Sequence, residues 1–159
     1  MKLIFNKADL SKGINYVLKA VSSKTTLPIL RCILIDATTD RIKLFANDME
    51  LAIITEVEGD IVIPGSIALE SRIFSEITRR LPDGDIIIET DDNLNASITC
   101  ENSVFNIPGQ DPDSFPPAPV IETEESVGLS QFTLKEMIRQ TIFSISPSDS
   151  NKMMNGELI

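Results

Sequence analysis

The sequence has 159 residues, of which 42% are hydrophobic, and its 24 acidic and 14 basic residues give a formal net charge of −10. This length is enough for one domain of ordinary size, or for one domain and part of another. The absence of histidine excludes a histidine-dependent catalytic triad and a histidine-ligated zinc site. No apolar run approaches the ~20 residues of a membrane span, and the N-terminus lacks the apolar region of a signal peptide. We therefore expect a cytoplasmic protein without a membrane contact.

Three segments have the sequence features of a helix start. Asn6 is followed three residues later by Asp9, and Thr133 by Glu136, which is the spacing of a capping box. Each segment also has the spacing of a hydrophobic staple, formed by Phe5 with Leu10, Leu69 with Phe74, and Phe132 with Met137. Because the staples begin at residues 5, 69 and 132, the intervals are 64 and 63 residues, which indicates an internal repeat. The predicted helices cover residues 7–24, 71–81 and 133–146.

Alternating apolar and polar residues predict strands between these helices. The strands are predicted at 31–36, 41–45, 51–57 and 61–63, and then at 86–90, 94–99 and 103–107. The resulting order predicts an α+β fold of duplicated βαβββ units, with helices on one side of antiparallel sheets. We expect one complete domain of two units at 1–121, an acidic, proline-rich linker at 110–126, and a second domain that begins at 127–159 and is truncated.

Positive charge is concentrated on the predicted helices. They carry nine of the fourteen basic residues and three acids, Asp9, Glu76 and Glu136, so their net charge is +6 and the remaining chain carries −16. The inward faces are predicted to consist of Leu10, Ile14, Val17 and Val21; of Ile73, Phe74, Ile77 and Leu81; and of Leu134, Met137, Ile138, Thr141 and Ile145. The outward faces then present Lys12, Lys19, Arg72, Arg79, Arg80, Lys135 and Arg139. This pattern is typical either of solvated helix faces or of phosphate contact without sequence readout.

Several segments resemble the bacterial DNA polymerase III beta subunit family of sliding clamps. They are 25–35 with its Thr-Leu-Pro-Ile-Leu motif, the turn at 47–50, the helix end at 81–84, residues 105–108 with 115–116, and 155–158. The resemblance covers nearly the whole chain in order. It implies the DNA-clamp fold, in which two protomers of three domains each close into a ring around double-stranded DNA. It further implies contacts with the replicative polymerase and the clamp loader, and neither catalytic residues nor cofactors nor metals.

The resemblance also assigns roles to individual residues. Lys24 corresponds to a basic loop residue that contacts DNA, and Lys152 stands beside Asn151, where the family often has arginine. Ile73 and Phe105 fall near the edge used for ring closure. Met154 matches an apolar residue at the rim of the pocket that captures partner peptides.

Two other classes of function compete with a sliding clamp. A carboxylate-based metal enzyme would use the pairs Asp48 with Glu50, Asp83 with Asp85, and Asp91 with Asp92, since hard cations prefer oxygen ligands. These pairs all fall in predicted hairpin turns, where Asp is expected for backbone reasons. The second alternative is an acidic interaction module that binds a basic partner through its sheet face.

Overall fold

The computed structural model describes residues 1–22, 25–117, 127–146 and 156 of the chain. They fall into two compact units, Met1–Pro119 and Val120–Ile159, which are described separately below.

The described residues of the first unit form nine strands and two α-helices. In chain order the elements are β1 (Lys2–Asn6), α1 (Lys7–Val17), β2 (Cys32–Ala37), β3 (Ile42–Asn47), β4 (Ala52–Val57), β5 (Asp60–Ile63), β6 (Gly65–Glu70), α2 (Ser71–Arg80), β7 (Asp85–Thr90), β8 (Asn95–Cys100) and β9 (Ser103–Gln110). All neighbouring strands are antiparallel, in the order β4-β3-β2-β6-β9-β8-β7-β1-β5. The predicted α+β class with antiparallel sheets is confirmed.

One hydrophobic core lies between the strands and the two helices. From α1 it contains Leu10, Ile14 and Val17, and from α2 it contains Phe74 and Ile77. Inward residues of the strands complete it, since alternate residues of β7 and β8 such as Ile86, Ile88, Ala96 and Ile98 are buried. Because α1 and α2 also pack against each other, they cover the same side of the strands.

The strand that leads into α2 differs from the prediction. Residues 61–63 were expected to precede the helix directly, whereas two strands occupy this stretch, with β5 paired to β1 and β6 paired to β2 and β9. Pro64 separates them because it has no backbone N–H to donate to a ladder. Gly65 follows with φ of 155°, and a Cβ there would lie 3.0 Å from Met1 Cβ, so a side chain is disfavoured.

The helices of the first unit begin where the sequence predicts. The Asn6 side chain accepts a hydrogen bond from Ala8 N (2.9 Å), which confirms the predicted cap of α1. Glu70 caps α2 by accepting from Ile73 N (2.7 Å), although no capping box marks this helix in the sequence. The residues of both predicted staples, Phe5 with Leu10 and Leu69 with Phe74, are all buried in the same core.

The second unit contains the helix α3 (Gln131–Thr141), extended by a 3-10 turn at Ile142–Ser144. The predicted cap Thr133 is wrong, because Ser130 caps the helix by accepting from Thr133 N (3.0 Å). The predicted staple of Phe132 with Met137 is wrong as well, since these side chains are 75% and 44% exposed. The helix thus begins at Gln131, earlier than the repeat interval predicted, because the Ser130 hydroxyl already supplies the capping acceptor.

Two inward faces also need correction. On α2, Phe74, Ile77 and Leu81 are buried as predicted, but Ile73 is 47% exposed, and Ser71 and Thr78 are buried in its place. On α3 no residue is buried. Leu134, Ile138 and Ile145 are half-buried, while Met137 and Thr141 are exposed. The described residues of the second unit include no strand that could cover this face of α3. The predicted inward face is therefore not buried.

Candidate nucleic-acid interface

The solvent faces of α1 and α2 carry the predicted basic residues. On α1, Lys12 is exposed while the apolar stripe through Leu10, Ile14 and Val17 is buried. The helical period of 3.6 residues places Lys12 and this stripe on opposite sides, as the sequence predicted. The helix ends at Val17, earlier than predicted, and Lys19 is exposed in the 3-10 turn Leu18–Ala20 that follows it. On α2, Arg72, Arg79 and Arg80 are exposed. We call these five side chains, Lys12, Lys19, Arg72, Arg79 and Arg80, the basic face.

The two helices enclose a cleft of about 330 Å³ at this face. Arg72 and Arg79 line it from α2, and Ser11 and Asn15 line it from α1. Hydroxyl, amide and guanidinium groups are donors to phosphate oxygens, so the cleft offers several donors beside exposed positive charge. No sequence pattern marks Ser11 as functional, because a serine on a helix face carries no functional signal by itself.

Lys7 was counted among the positive charges of the first helix, but it has a structural contact. Its Nζ donates to Leu81 O (2.6 Å) and pairs with Asp83 Oδ1 (3.1 Å), and its side chain is only 20% exposed. The backbone N of Lys7 also donates to Gly84 O (3.2 Å). Lys7 therefore connects the start of α1 with the end of α2. No local sequence pattern predicts this contact, because its partners lie more than 70 residues apart in the chain.

The bases of the basic face differ in their partners. Glu76 pairs with Arg79 (4.0 Å) and with Arg80 (3.6 Å) on the same helix. Within residues 1–22, 25–117 and 127–146, Lys12, Lys19 and Arg72 make no ion pair. These three side chains are therefore the positive charges most available to an anionic partner.

The outer side of the strands has a different electrostatic character. Lys2 on β1 pairs with Glu89 on β7 (2.8 Å), and Arg41, next to β3, pairs with Glu56 on β4 (2.7 Å). Lys2 alternates along β1 with the buried core residues Leu3 and Phe5, and its cross-strand partner on β7 is Glu89, so both side chains face away from the helices. Lys2 and Arg41 are thus each matched by an acid, whereas Lys43 on β3 makes no ion pair with another described residue.

The remaining predicted site residues are distributed as follows. On α3, Lys135 is exposed, and Arg139 forms a two-pronged contact with Glu136, the shortest distance being 2.8 Å. Ile73 on α2 and Phe105 on β9 are 47% and 40% exposed, and their role in ring closure stays a prediction. Lys24, Lys152 and Met154 lie outside the described residues.

Two of the acidic turns are explained by backbone hydrogen bonds. Asp48 Oδ1 accepts from Glu50 N (2.9 Å) and Leu51 N (2.6 Å). Asp91 accepts from the Asn95 side chain and from the backbone N–H groups of Asn95 and Asn93, and these hydrogen bonds lower the pKa of its carboxyl. These contacts are those expected of Asp in tight turns. In the part of the chain that the structure describes, no group of three or more Cys, Asp or Glu residues is arranged to hold a metal ion.

No helix among the described residues has the length and apolar character needed to cross a membrane.

Comparisons with known proteins relate this chain to one family. A family model described as DNA polymerase III beta subunit, N-terminal domain, matches residues 1–119. The beta sliding clamps of Halalkalibacterium halodurans and Bacillus subtilis are 36% and 37% identical, and each alignment covers 98% of this chain and 43% of the relative. The chain therefore spans about two fifths of the length of these relatives.

Solved structures agree in fold. A DNA polymerase III beta subunit structure from Eubacterium rectale is 57% identical, with a TM-score of 0.91 over 97% of this chain and 42% of that one. The DNA polymerase sliding clamp of Bacillus subtilis is 35% identical, with a TM-score of 0.88 over 95% of this chain and 42% of that one. These matches identify the α+β architecture as the DNA-clamp fold. The chain belongs to the DNA polymerase III beta subunit family, whose N-terminal domain model covers its first 119 residues.

Proposed function

We propose that this chain contributes an N-terminal domain to a DNA sliding clamp, a non-catalytic processivity factor that encircles duplex DNA without sequence specificity. The observation that carries the proposal is the basic face. Two adjacent helices and the 3-10 turn that follows α1 present five exposed bases to solvent on a chain whose net charge is −10, while Lys2 and Arg41 on the outer side of the strands are each paired with an acid. Phosphate contacts of this kind depend on charge and not on base identity.

In the whole ring, the basic face would line the central hole together with Lys135 and Arg139 of α3 and with Lys24 and Lys152. Ile73 and Phe105, both exposed and apolar, would lie at the closure between two protomers of a homodimer. Met154 would lie at the rim of the pocket for partner peptides. The partners would be the replicative polymerase and the clamp loader, in the cytoplasm, and topological tethering would require no cofactor.

We also propose the domain boundaries that the sequence predicts. Residues 1–121 would form a complete clamp domain, 110–126 the linker, and 127–159 part of the next domain. Support comes from the compact unit Met1–Pro119 and from the family match that ends at residue 119.

DNA binding by the 159-residue chain tests the basic face. With a fluorescein-labelled duplex in fluorescence anisotropy, we expect weak binding whose log K falls linearly with log salt. Lys19→Glu with Arg72→Glu and Arg79→Glu should reduce the association constant by about tenfold or more at low salt, since repulsion replaces three phosphate contacts. Neither tight binding nor salt-insensitive binding is compatible with the proposal.

A matched control distinguishes the contribution of the basic face to DNA binding from the effect of overall net charge. Lys2→Glu with Arg41→Glu and Lys43→Glu also changes three bases to acids, so both variants change the net charge of −10 by six units to −16. These residues lie on or next to outer strands. We expect the control to weaken binding far less than the helix variant. Equal losses in the two variants would show that overall charge, and not this surface, governs binding.

The processivity role is testable in a full-length ring that carries this sequence. Lys24→Glu with Arg72→Glu and Arg79→Glu should lower loading or the length of primer extension. Unchanged extension would contradict the assignment of these residues to the hole.

A further inference from the structure

The bases of α2 and α3 have a recurrent acidic neighbour. Glu76 precedes Arg79 by three residues, and Glu136 precedes Arg139 by three residues. In the structure both pairs are in contact, at 4.0 Å and 2.8 Å, and Glu76 reaches Arg80 as well, at 3.6 Å. Residues three or four positions apart lie on the same side of a helix, so each acid shares the solvent face with its base.

Stability does not explain acids at these positions. Exposed ion pairs contribute little to folding, and the side chains of Arg79 and Glu76 are 73% and 46% exposed. Glutamine has nearly the same helix propensity as glutamate, so a neutral residue would preserve each helix equally well. An acid inside a surface that is otherwise positive must therefore be considered for its effect on an anionic partner.

We infer that Glu76 and Glu136 weaken the attraction of the basic helices for DNA phosphates, so that each contact can be released as the protein moves along a duplex. This inference rests on the proposed function. A phosphate that approaches Arg79 or Arg80 must displace the carboxylate of Glu76 or remain beside its negative charge. Either route lowers the free energy gained from the contact.

The basic face then contains two classes of base. Among the described residues, Lys12, Lys19 and Arg72 have no acidic partner and supply the attraction. Arg79 and Arg80 are restrained by Glu76, and Arg139 on α3 by Glu136. On α1, Asp9 precedes Lys12 at the same spacing, and both line a small cavity beside β4. The spacing thus recurs on all three described α-helices, but among the described residues the acid contacts its base only on α2 and α3.

Glu76→Gln in the 159-residue chain tests the inference. Removing one negative charge about 7 Å from a bound phosphate should raise the association constant for a short duplex roughly threefold in low salt. The slope of log K against log salt should become steeper by up to about one unit, since a further phosphate contact is formed. Glu76→Gln combined with Glu136→Gln should give a larger increase than either change alone.

Glu89→Gln is the matched control. It removes one acid and one ion pair, that with Lys2 at 2.8 Å, from the outer side of the strands. Its association constant should stay close to that of the unchanged protein. Both variants should remain folded, because exposed ion pairs add little stability, and circular dichroism checks this.

The outcomes separate this inference from the proposed function. A threefold gain for Glu76→Gln with no gain for Glu89→Gln supports it. Equal effects of the two variants, or a loss for Glu76→Gln, would overturn it while DNA binding through the basic face still stands. If the unchanged chain shows no DNA affinity at any salt concentration, or if reversing Lys19, Arg72 and Arg79 has no effect, the proposed function fails and this inference fails with it.

Discussion

Helices α2 and α3 are alike in their local structure and different in their surroundings. Each begins at a side-chain cap, Glu70 or Ser130, and each carries a Glu–Arg pair at a spacing of three residues. Yet α2 buries Phe74 completely, whereas Phe132 on α3 is 75% exposed. Caps and ion pairs are determined by residues close in sequence, while burial requires strands that pack against the helix. Apolar residues on α3 therefore do not contribute to a core within the described part of its unit.

The largest predicted difference concerns the two phenylalanines. Phe74→Ala should lower the free energy of unfolding of the first unit by about 3–5 kcal/mol, because it leaves a cavity in a packed core. Phe132→Ala should change it by less than about 0.5 kcal/mol. Urea denaturation followed by circular dichroism measures both. Similar losses in the two variants would contradict the difference in burial.

The two units also differ in how closely other atoms approach one of their glycines. A Cβ on Gly13 of α1 would lie 2.4 Å from Val57 Cγ2 and 3.2 Å from Leu44 Cδ1, whereas a Cβ on Gly128 meets nothing within 4 Å. Gly13→Ala should therefore destabilise by about 1–3 kcal/mol through overpacking, despite the better helix propensity of alanine.

Gly128→Ala is the control for this substitution, and its midpoint of thermal unfolding should match that of the unchanged chain. If Gly13→Ala is stabilising, α1 does not pack as closely on β3 and β4 as the structure indicates.

The helix caps give the smallest effect. Glu70→Ala should cost the first unit about 1 kcal/mol, because it leaves the N–H of Ile73 without its partner. Ser130→Ala should leave the unfolding of the first unit unchanged and reduce the helical signal of α3 alone. Hydrogen exchange of the amides in the first turn of each helix reports the two effects separately. A loss of protection in α2 on Ser130→Ala would contradict independent capping.

The features predicted from the sequence are those that depend on neighbouring residues. The stripe through Leu10, Ile14 and Val17 fixes one face of α1, and it thereby places Lys12 on the other. The strand β6 was missed because its small residues, Gly65, Ser66 and Ala68, weaken the alternating pattern that marks a strand.

Contacts between distant segments could not be predicted. The hydrogen bonds from Lys7 to Leu81 and Asp83 depend on how α1 and α2 pack, and the local sequence does not determine that packing. The exposure of Ile73 has the same origin, because α2 rotates to bury Phe74 and Thr78 instead. At the candidate site, charge and spacing predicted which bases lie on helices, while only the structure distinguishes paired from unpaired bases.

We propose that the solvent faces of α1 and α2 are the surface that meets DNA. The most direct measurement is an NMR titration of the isotope-labelled 159-residue chain with a short duplex in low salt, repeated at higher salt. We predict that amide shifts concentrate on the helix residues near Lys12, Lys19, Arg72 and Arg79, and that they disappear as salt rises. Shifts concentrated on outer-strand residues such as Lys2 and Lys43, with α1 and α2 unaffected, would contradict the claim.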